Sequence, residues 1–213
     1  QKEKLFADMS QNLINFGIGF SEYFGSRDSS GLNISDNKVT GKTLFVLDTD
    51  FASHVMIADN KGQIGIVSLD SNDIEMIDLT TVDKTRTYKE MHFSDTPIEV
   101  LDKTKSSSFA IEMALDAGRI IAAADSLGAS QAMINKAVEY SKERKQFNRV
   151  IGSFQAVKHM CAEMAAELEP CYSLVWHAAH SFDDSSEDAR LMACLAKSHI
   201  SEVSKMVSKK ATE

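Results

Sequence analysis

Apolar and polar positions change their period partway along the chain. From about Leu13 to Leu101 the apolar runs are short and rich in β-branched or aromatic residues, which predicts strands. Val39 to Leu47, His54 to Ala58, Ile64 to Leu69 and Tyr88 to Phe93 are the clearest of them. Asp59-Asn60-Lys61-Gly62 separates two of these runs as a hairpin loop would, because Asn and Gly accept positive φ at little cost. Ile64 and Ile66 are then expected on one face, with Val67 opposite.

Past the polar stretch Asp102-Lys103-Thr104-Lys105-Ser106-Ser107-Ser108 the period is helical to the end. Phe154, Val157, Cys161, Met164, Leu168, Cys171, Val175 and Ala178 alternate steps of three and four, one apolar seam on a long helix packed against an antiparallel neighbour. Pro170 lies inside that seam, and a kink is expected there. Ser185-Ser186-Glu187-Asp188 reads as the capped start of a third helix, with acids in its first turn.

Composition narrows the function. The 213 residues are 43% hydrophobic and carry a net charge of -8, which disfavours nucleic-acid backbones and anionic lipid as bulk partners. No apolar run approaches the roughly 18 residues of a spanning helix. A chain that begins at Gln1 rather than Met is expected to be incomplete. Cys161, Cys171 and Cys194 lack metal-type spacing and are expected as buried free thiols of a reducing compartment, the cytoplasm by default. His177, His180 and Asp183 recur every three residues, but an exposed helix face is the commoner reading of that pattern than a metal site.

The segment Tyr140-Ser141-Lys142-Glu143-Arg144-Lys145-Gln146-Phe147-Asn148-Arg149-Val150-Ile151-Gly152-Ser153-Phe154-Gln155 resembles the acyl-CoA dehydrogenase signature. In that signature a helix end carries Arg-x-Gln-Phe-Gly, a short loop ends in Ile, and a new helix opens with Phe-Gln. Phe20-Ser21-Glu22 with Gly25-Ser26, the run Gly41 to Val46, and Asp116-Ala117-Gly118-Arg119 with Gly128 resemble further family segments in the same order. The resemblance implies an α+β fold, an antiparallel β-barrel-like domain followed by a long-helix up-down bundle. Residues 1–12 would end a preceding helical domain, 13–103 form the β-domain, and 104–213 begin the C-terminal helical domain.

The implied cofactor is FAD and the implied substrate an acyl-CoA. By resemblance, Ile18, Gly19, Phe20, Ser21 and Ser26 line the flavin, with Phe45 and Val46 beside its ring. Arg144, Gln146, Phe147, Phe154 and Gln155 would reach the FAD of a partner subunit. Asp116 and Arg119 would lie along the acyl-CoA channel, which Ser26 would also touch. Physical chemistry supports the pattern: a flavin ring needs an apolar bed such as Phe45, and a guanidinium fork suits pyrophosphate. Arg144 sits in a basic cluster, Lys142 to Arg149, within an acidic chain; alone, it would as readily complement a helix end.

The implied reaction takes an α-proton to a Glu base and a β-hydride to flavin N5. The sequence departs from the family at Tyr23, Arg27, Leu47 and Asn148, and Gly118 stands where a minority branch has its Glu. The base is therefore expected outside this chain, and the catalytic residue is unassigned. An electron-transfer flavoprotein or similar acceptor and a homo-oligomer, a dimer of dimers, complete the expectation, with the mitochondrial matrix as compartment in a eukaryote. A catalytically silent FAD- or partner-binding subunit, or a flavin oxidase or oxygenase relative, is the alternative.

Overall fold

The computed structural model describes residues 2–11, 13–21, 30–101 and 107–213. These form two compact units, Gln1–Ile111 and Glu112–Glu213.

The first unit opens with α1 (Lys2–Ser10) and is otherwise β-structure. Its strands are β1 (Phe16–Gly19), β2 (Gly31–Ser35), β3 (Lys38–Leu47), β4 (His54–Ala58), β5 (Ile64–Ser68), β6 (Ile74–Asp78), β7 (Tyr88–Pro97) and β8 (Glu99–Val100). They form one sheet in the order β6-β7-β3-β1-β4-β5-β8, with β2 added on β3. It curls like a barrel without closing. Every pairing is antiparallel except β1 with β4, which run parallel from Phe16 opposite His54 to Gly19 opposite Ile57. Inside lie Leu32, Ile34, Val39, Val46, Val55, Ile57, Val67, Met91, Phe93 and Ile98. Burying each such side chain stabilises the fold by about 1.5–3 kcal/mol before entropy is charged against it.

The loop between β4 and β5 forms as its sequence predicts. Asp59 accepts the backbone N–H groups of Lys61 and Gln63 on one carboxylate oxygen, at 2.9 and 2.8 Å, and Gly62 takes the positive φ of 79°. The strand that follows has Ile64 and Ile66 on one face and Val67 on the other, and it is buried on both, with Ile64, Gly65, Ile66 and Val67 all covered.

The second unit is built on three long helices, the first of which starts within the preceding unit. They are α2 (Ser107–Glu143), α3 (Gln155–Asp183) and α4 (Ala189–Thr212). Met164, Leu168, Cys171, Val175 and Ala178 of the predicted seam are buried against Ala193, Ala196, Ile200, Val203 and Val207 of α4 and against α2. α3 continues through Pro170, whose ring is exposed; the Ala166 carbonyl it leaves without an N–H partner is on the exposed side as well. None of the described helices is long and apolar enough to cross a membrane.

Two expectations are corrected. α4 begins at Ala189, not at Ser185 or Ser186, and its N-cap Asp188 makes no side-chain capping bond. Ser185 and Ser186 instead close α3. Ser186 N–H bonds the Ser181 carbonyl at 3.0 Å and Ser185 N–H the Phe182 carbonyl at 3.1 Å, a Schellman pattern with Ser185 at φ 52° in place of glycine. The thiols also differ among themselves: Cys171 is buried, Cys161 half-buried and Cys194 exposed. Burial, then the nearby Glu167 carboxylate, pushes the Cys171 thiol pKa up, so it is the least reactive kind of thiol.

Candidate functional site

In the β-unit the candidate residues gather on β1 and on the end of β3. Ile18 pairs with Leu47 across these strands. The alternation of β1 buries Gly17 and Gly19 and turns Ile18 outward, 48% exposed. β3 gains one residue against β7 between Thr43 and Val46, a β-bulge. Phe45 sits in it at φ 55°, a left-handed conformation that a bulky residue rarely takes, and is 49% exposed. Val46 points the other way and is fully buried, with its Cγ2 next to Gly19. The exposed apolar surface at this point is thus Ile18 and Phe45. Val46 offers a ligand its backbone only, and Phe20 is half-buried.

Ser21 holds the bulge. Its hydroxyl donates to the Leu44 carbonyl at 2.6 Å and accepts the Leu44 N–H at 3.3 Å. Opposite Val46, Lys89 of β7 forms ion pairs with Asp50 at 2.8 Å and with Asp78. Hydrogen bonding to Asp50, then to Asp78, raises the Lys89 pKa. The Lys89 bond in turn holds the Asp50 carboxyl below its ordinary value. Ser26, with Glu22 and Gly25, lies outside the described residues.

The helical unit holds the second group. The segment after α2 is not a simple loop: β9 (Lys145–Gln146) and β10 (Arg149–Val150) pair antiparallel, Gln146 opposite Arg149 and Lys145 opposite Val150. Phe147 and Asn148 form the two-residue turn with φ of 52° and 62°, the sign pattern of a type I′ hairpin. Asn148, where the sequence departs from the family, takes the second positive φ of this turn, which Asn accepts at little cost. Phe147 is 87% exposed and meets Phe154 edge-on at 6.1 Å, while the Arg149 guanidinium lies 4.0 Å over the Phe154 ring.

The hairpin is fixed to its helices by backbone. Ile151 N–H bonds the Arg144 carbonyl at 2.8 Å, and a Cβ on Gly152 would sit 2.9 Å from the Ser141 carbonyl oxygen, so only glycine fits. Arg144, Gln146, Arg149 and Gln155 are consequently held around one exposed, basic, aromatic corner. Arg144 makes no side-chain ion pair among the described residues.

Asp116 and Arg119 pair with each other on α2, with Asp116 buried. Gly118 is exposed, and a Cβ there would meet nothing within 4 Å. Among the described residues no group of His, Cys, Asp or Glu could hold a metal ion, and His180 stacks edge-on against Trp176.

Sequence reading missed Leu44 and Ser141, which act through backbone and whose types gave no signal. Arg149 was read only as the end of the basic cluster, and its contact with the Phe154 ring was not foreseen.

This architecture, a curled mixed sheet followed by a long-helix bundle, is that of butyryl-CoA dehydrogenase from Megasphaera elsdenii. The match has a TM-score of 0.85 at 24% identity, over 99% of this chain and 60% of that one. Residues 109–213 match the family model "Acyl-CoA dehydrogenase, C-terminal domain". The caffeyl-CoA reductase-Etf complex subunit CarC of Acetobacterium woodii is 31% identical over 173 residues, 81% of this chain and 41% of that protein. The 3-(aryl)acrylate reductase of Clostridium sporogenes is 30% identical over 179 residues, 79% of this chain and 43% of that protein. The chain belongs to the acyl-CoA dehydrogenase family. It spans less than half the length of these two curated relatives.

Proposed function

We infer that this chain supplies the flavin-binding part of an FAD-dependent oxidoreductase that acts on the α,β carbon pair of an acyl-CoA thioester. One observation carries the reading most: a bulged strand displays Phe45 in a left-handed conformation beside exposed Ile18, with Ser21 tying the bulge in place. Backbone strain of this kind persists where the surroundings over-determine it, and it clusters at ligand sites. Exposed apolar surface of this shape fits one side of a flavin ring. FAD, when bound, supplies hydride chemistry.

Ile18 and Phe45 would bed the ring, and Gly19, Phe20 and the Val46 backbone would border it. Ser21 keeps Phe45 displayed. In the helical unit Arg144, with Gln146, Phe147, Phe154 and Gln155, would grip the pyrophosphate and adenosine portion of a partner subunit's FAD, in a homo-oligomer. Asp116 and Arg119 would border the acyl-CoA, Asp116 fixing the direction of the guanidinium. The base that takes the α-proton is not assigned to any residue of this chain, and electrons would pass to an electron-transfer flavoprotein or similar acceptor.

Two curated relatives are reductases by name, one of them a subunit of a complex with Etf. They favour a second reading, in which the same site saturates an α,β-unsaturated, aryl-bearing thioester.

Anaerobic titration of the complete flavoprotein tests both. Saturated acyl-CoA is expected to bleach the oxidised flavin under the first reading. Under the second, a 3-aryl-acryloyl-CoA is expected to reoxidise the reduced flavin much faster. A flavin indifferent to both thioesters contradicts the proposed function.

A further inference from the structure

The curled sheet stays open at β6. This strand ends the sheet order and pairs only with β7, from Ile74 opposite Phe93 to Asp78 opposite Lys89. Ser94 N–H bonds the Asp73 carbonyl at 3.1 Å just before the strand, and Leu79 N–H bonds the Tyr88 carbonyl at 2.9 Å just after it. An antiparallel ladder uses every second residue between those ends, so the N–H and C=O groups of Ile74, Met76 and Asp78 point to the free edge. Among the described residues no other element bonds them.

The apolar side of the strand is unfinished too. Ile74 and Met76 stand opposite Phe93 and Met91, both buried, and so share the inner face of the sheet. Met76 is nonetheless 45% exposed, because no described strand lies beyond β6. On the outer face Ile77 is exposed, as is Glu75. Residues 62–83 hold Asp70, Asp73, Glu75, Asp78 and Asp83 and no lysine, arginine or histidine. All five acidic residues are exposed, and β7 answers two of them, Asp78 through Lys89 and Glu75 through His92 at 3.5 Å.

This chemistry selects an occupant. A second copy of β6 laid on the edge would bring the same acids together, and like charges across a strand pair are destabilising. A strand that alternates basic and apolar residues meets both needs. In an antiparallel pair directly opposite residues share a face, so residues that bond Met76 and its outward neighbours put their side chains on the inner face. Those side chains must be apolar to cover Ile74 and Met76. The residues between them project on the outer face beside Glu75, where a lysine or arginine is favoured.

We propose that the free edge of β6 is the docking site of a partner protein, which adds an extended segment of alternating basic and apolar residues to the sheet as a further antiparallel strand. This assignment does not depend on the flavin reading.

The test titrates the complete protein against a fluorescein-labelled seven-residue peptide that alternates lysine and valine, with valine at its centre. Fluorescence anisotropy is expected to show saturable binding, which glutamates in place of the lysines abolish. N-methylation of the central valine, whose N–H faces β6, is expected to weaken binding about tenfold or more. The same modification of a neighbouring lysine, whose N–H faces solvent, should leave affinity unchanged. Met76→Pro removes an N–H that only the incoming strand uses, so the sheet should tolerate it while peptide affinity falls about tenfold or more. Circular dichroism checks the fold of that variant, and the methylated peptides probe the same edge on the unaltered protein. A peptide that does not bind, one that binds equally well with its central valine methylated, or a folded Met76→Pro variant that binds like wild type overturns the proposal.

Discussion

The Ser21 hydroxyl donates to the Leu44 carbonyl at 2.6 Å and receives the Leu44 N–H at 3.3 Å. A residue expected to face the cofactor is thus engaged with the strand that displays Phe45. Its role would be exerted through the backbone.

Ser21→Ala removes both bonds and is expected to lower the stability of the flavin-free protein by about 1–2 kcal/mol. Flavin retention should fall with it, because Phe45 loses its support. Ser21→Thr keeps the hydroxyl and should stay near wild type. Urea denaturation of the apo-protein checks this. A Ser21→Ala variant with unchanged apo stability and poor flavin binding would show instead that the hydroxyl acts on the cofactor directly.

Phe147 occupies a left-handed turn position while 87% exposed, so its ring contributes little to folding beyond the edge contact with Phe154. Phe147→Gly relieves the turn, and the apo-protein is expected to hold its stability or gain up to about 1 kcal/mol. Flavin retention is expected to drop. A loss of more than about 1 kcal/mol with flavin fully retained would assign Phe147 to packing.

Lys89 gives the β-unit a defined pH response. Its folded pKa is raised, chiefly by Asp50, so its share of stability is complete below the ordinary lysine value of about 10.4 and disappears as pH rises through the folded value. The Asp50 pKa is lowered by the same bond, so its share is present above about 3.9 and disappears as pH falls through the folded value. Lys89→Met should therefore destabilise the protein by a constant amount between about pH 5 and pH 9. The gap from wild type should close at both extremes. Paired denaturation curves across pH measure it; a gap that widens above about pH 11 contradicts a raised Lys89 pKa.

Much of the fold is legible in the residues. Val39 to Leu47 and His54 to Ala58 are strands because β-branched and aromatic side chains suit a pleated, half-buried surface, and the α3 seam follows from its three-and-four spacing. β1 is harder to see: Phe16-Gly17-Ile18-Gly19 is half glycine, and it is set by the close approach of Val46 and Thr49 to glycine positions. β6 is a short edge strand with four exposed residues, so no buried face marks it. The left-handed Phe45, Phe147 and Ser185 escape a sequence reading for one reason. Glycine advertises positive φ, whereas these residues are forced into it by a bulge, a hairpin and a helix end. Ile18, Phe45 and Arg144 entered the candidate site through the resemblance rather than through their residue types alone, and the hairpin that carries Gln146 and Phe147 was not legible at all.

The most direct test of the cofactor assignment is the flavin content of Arg144 variants of the complete protein. If Arg144 grips the pyrophosphate, Arg144→Ala loses a charge-assisted pair, about 1.5–3 kcal/mol, or roughly ten- to a hundredfold in flavin affinity. Arg144→Lys keeps the charge without the bidentate fork and should fall between Arg144→Ala and wild type. A residue that merely complements a helix end would alter stability by less than about 1 kcal/mol and leave flavin alone. Flavin absorbance normalised to protein is expected to fall in the order wild type, Arg144→Lys, Arg144→Ala; equal occupancy and affinity in all three would contradict the account.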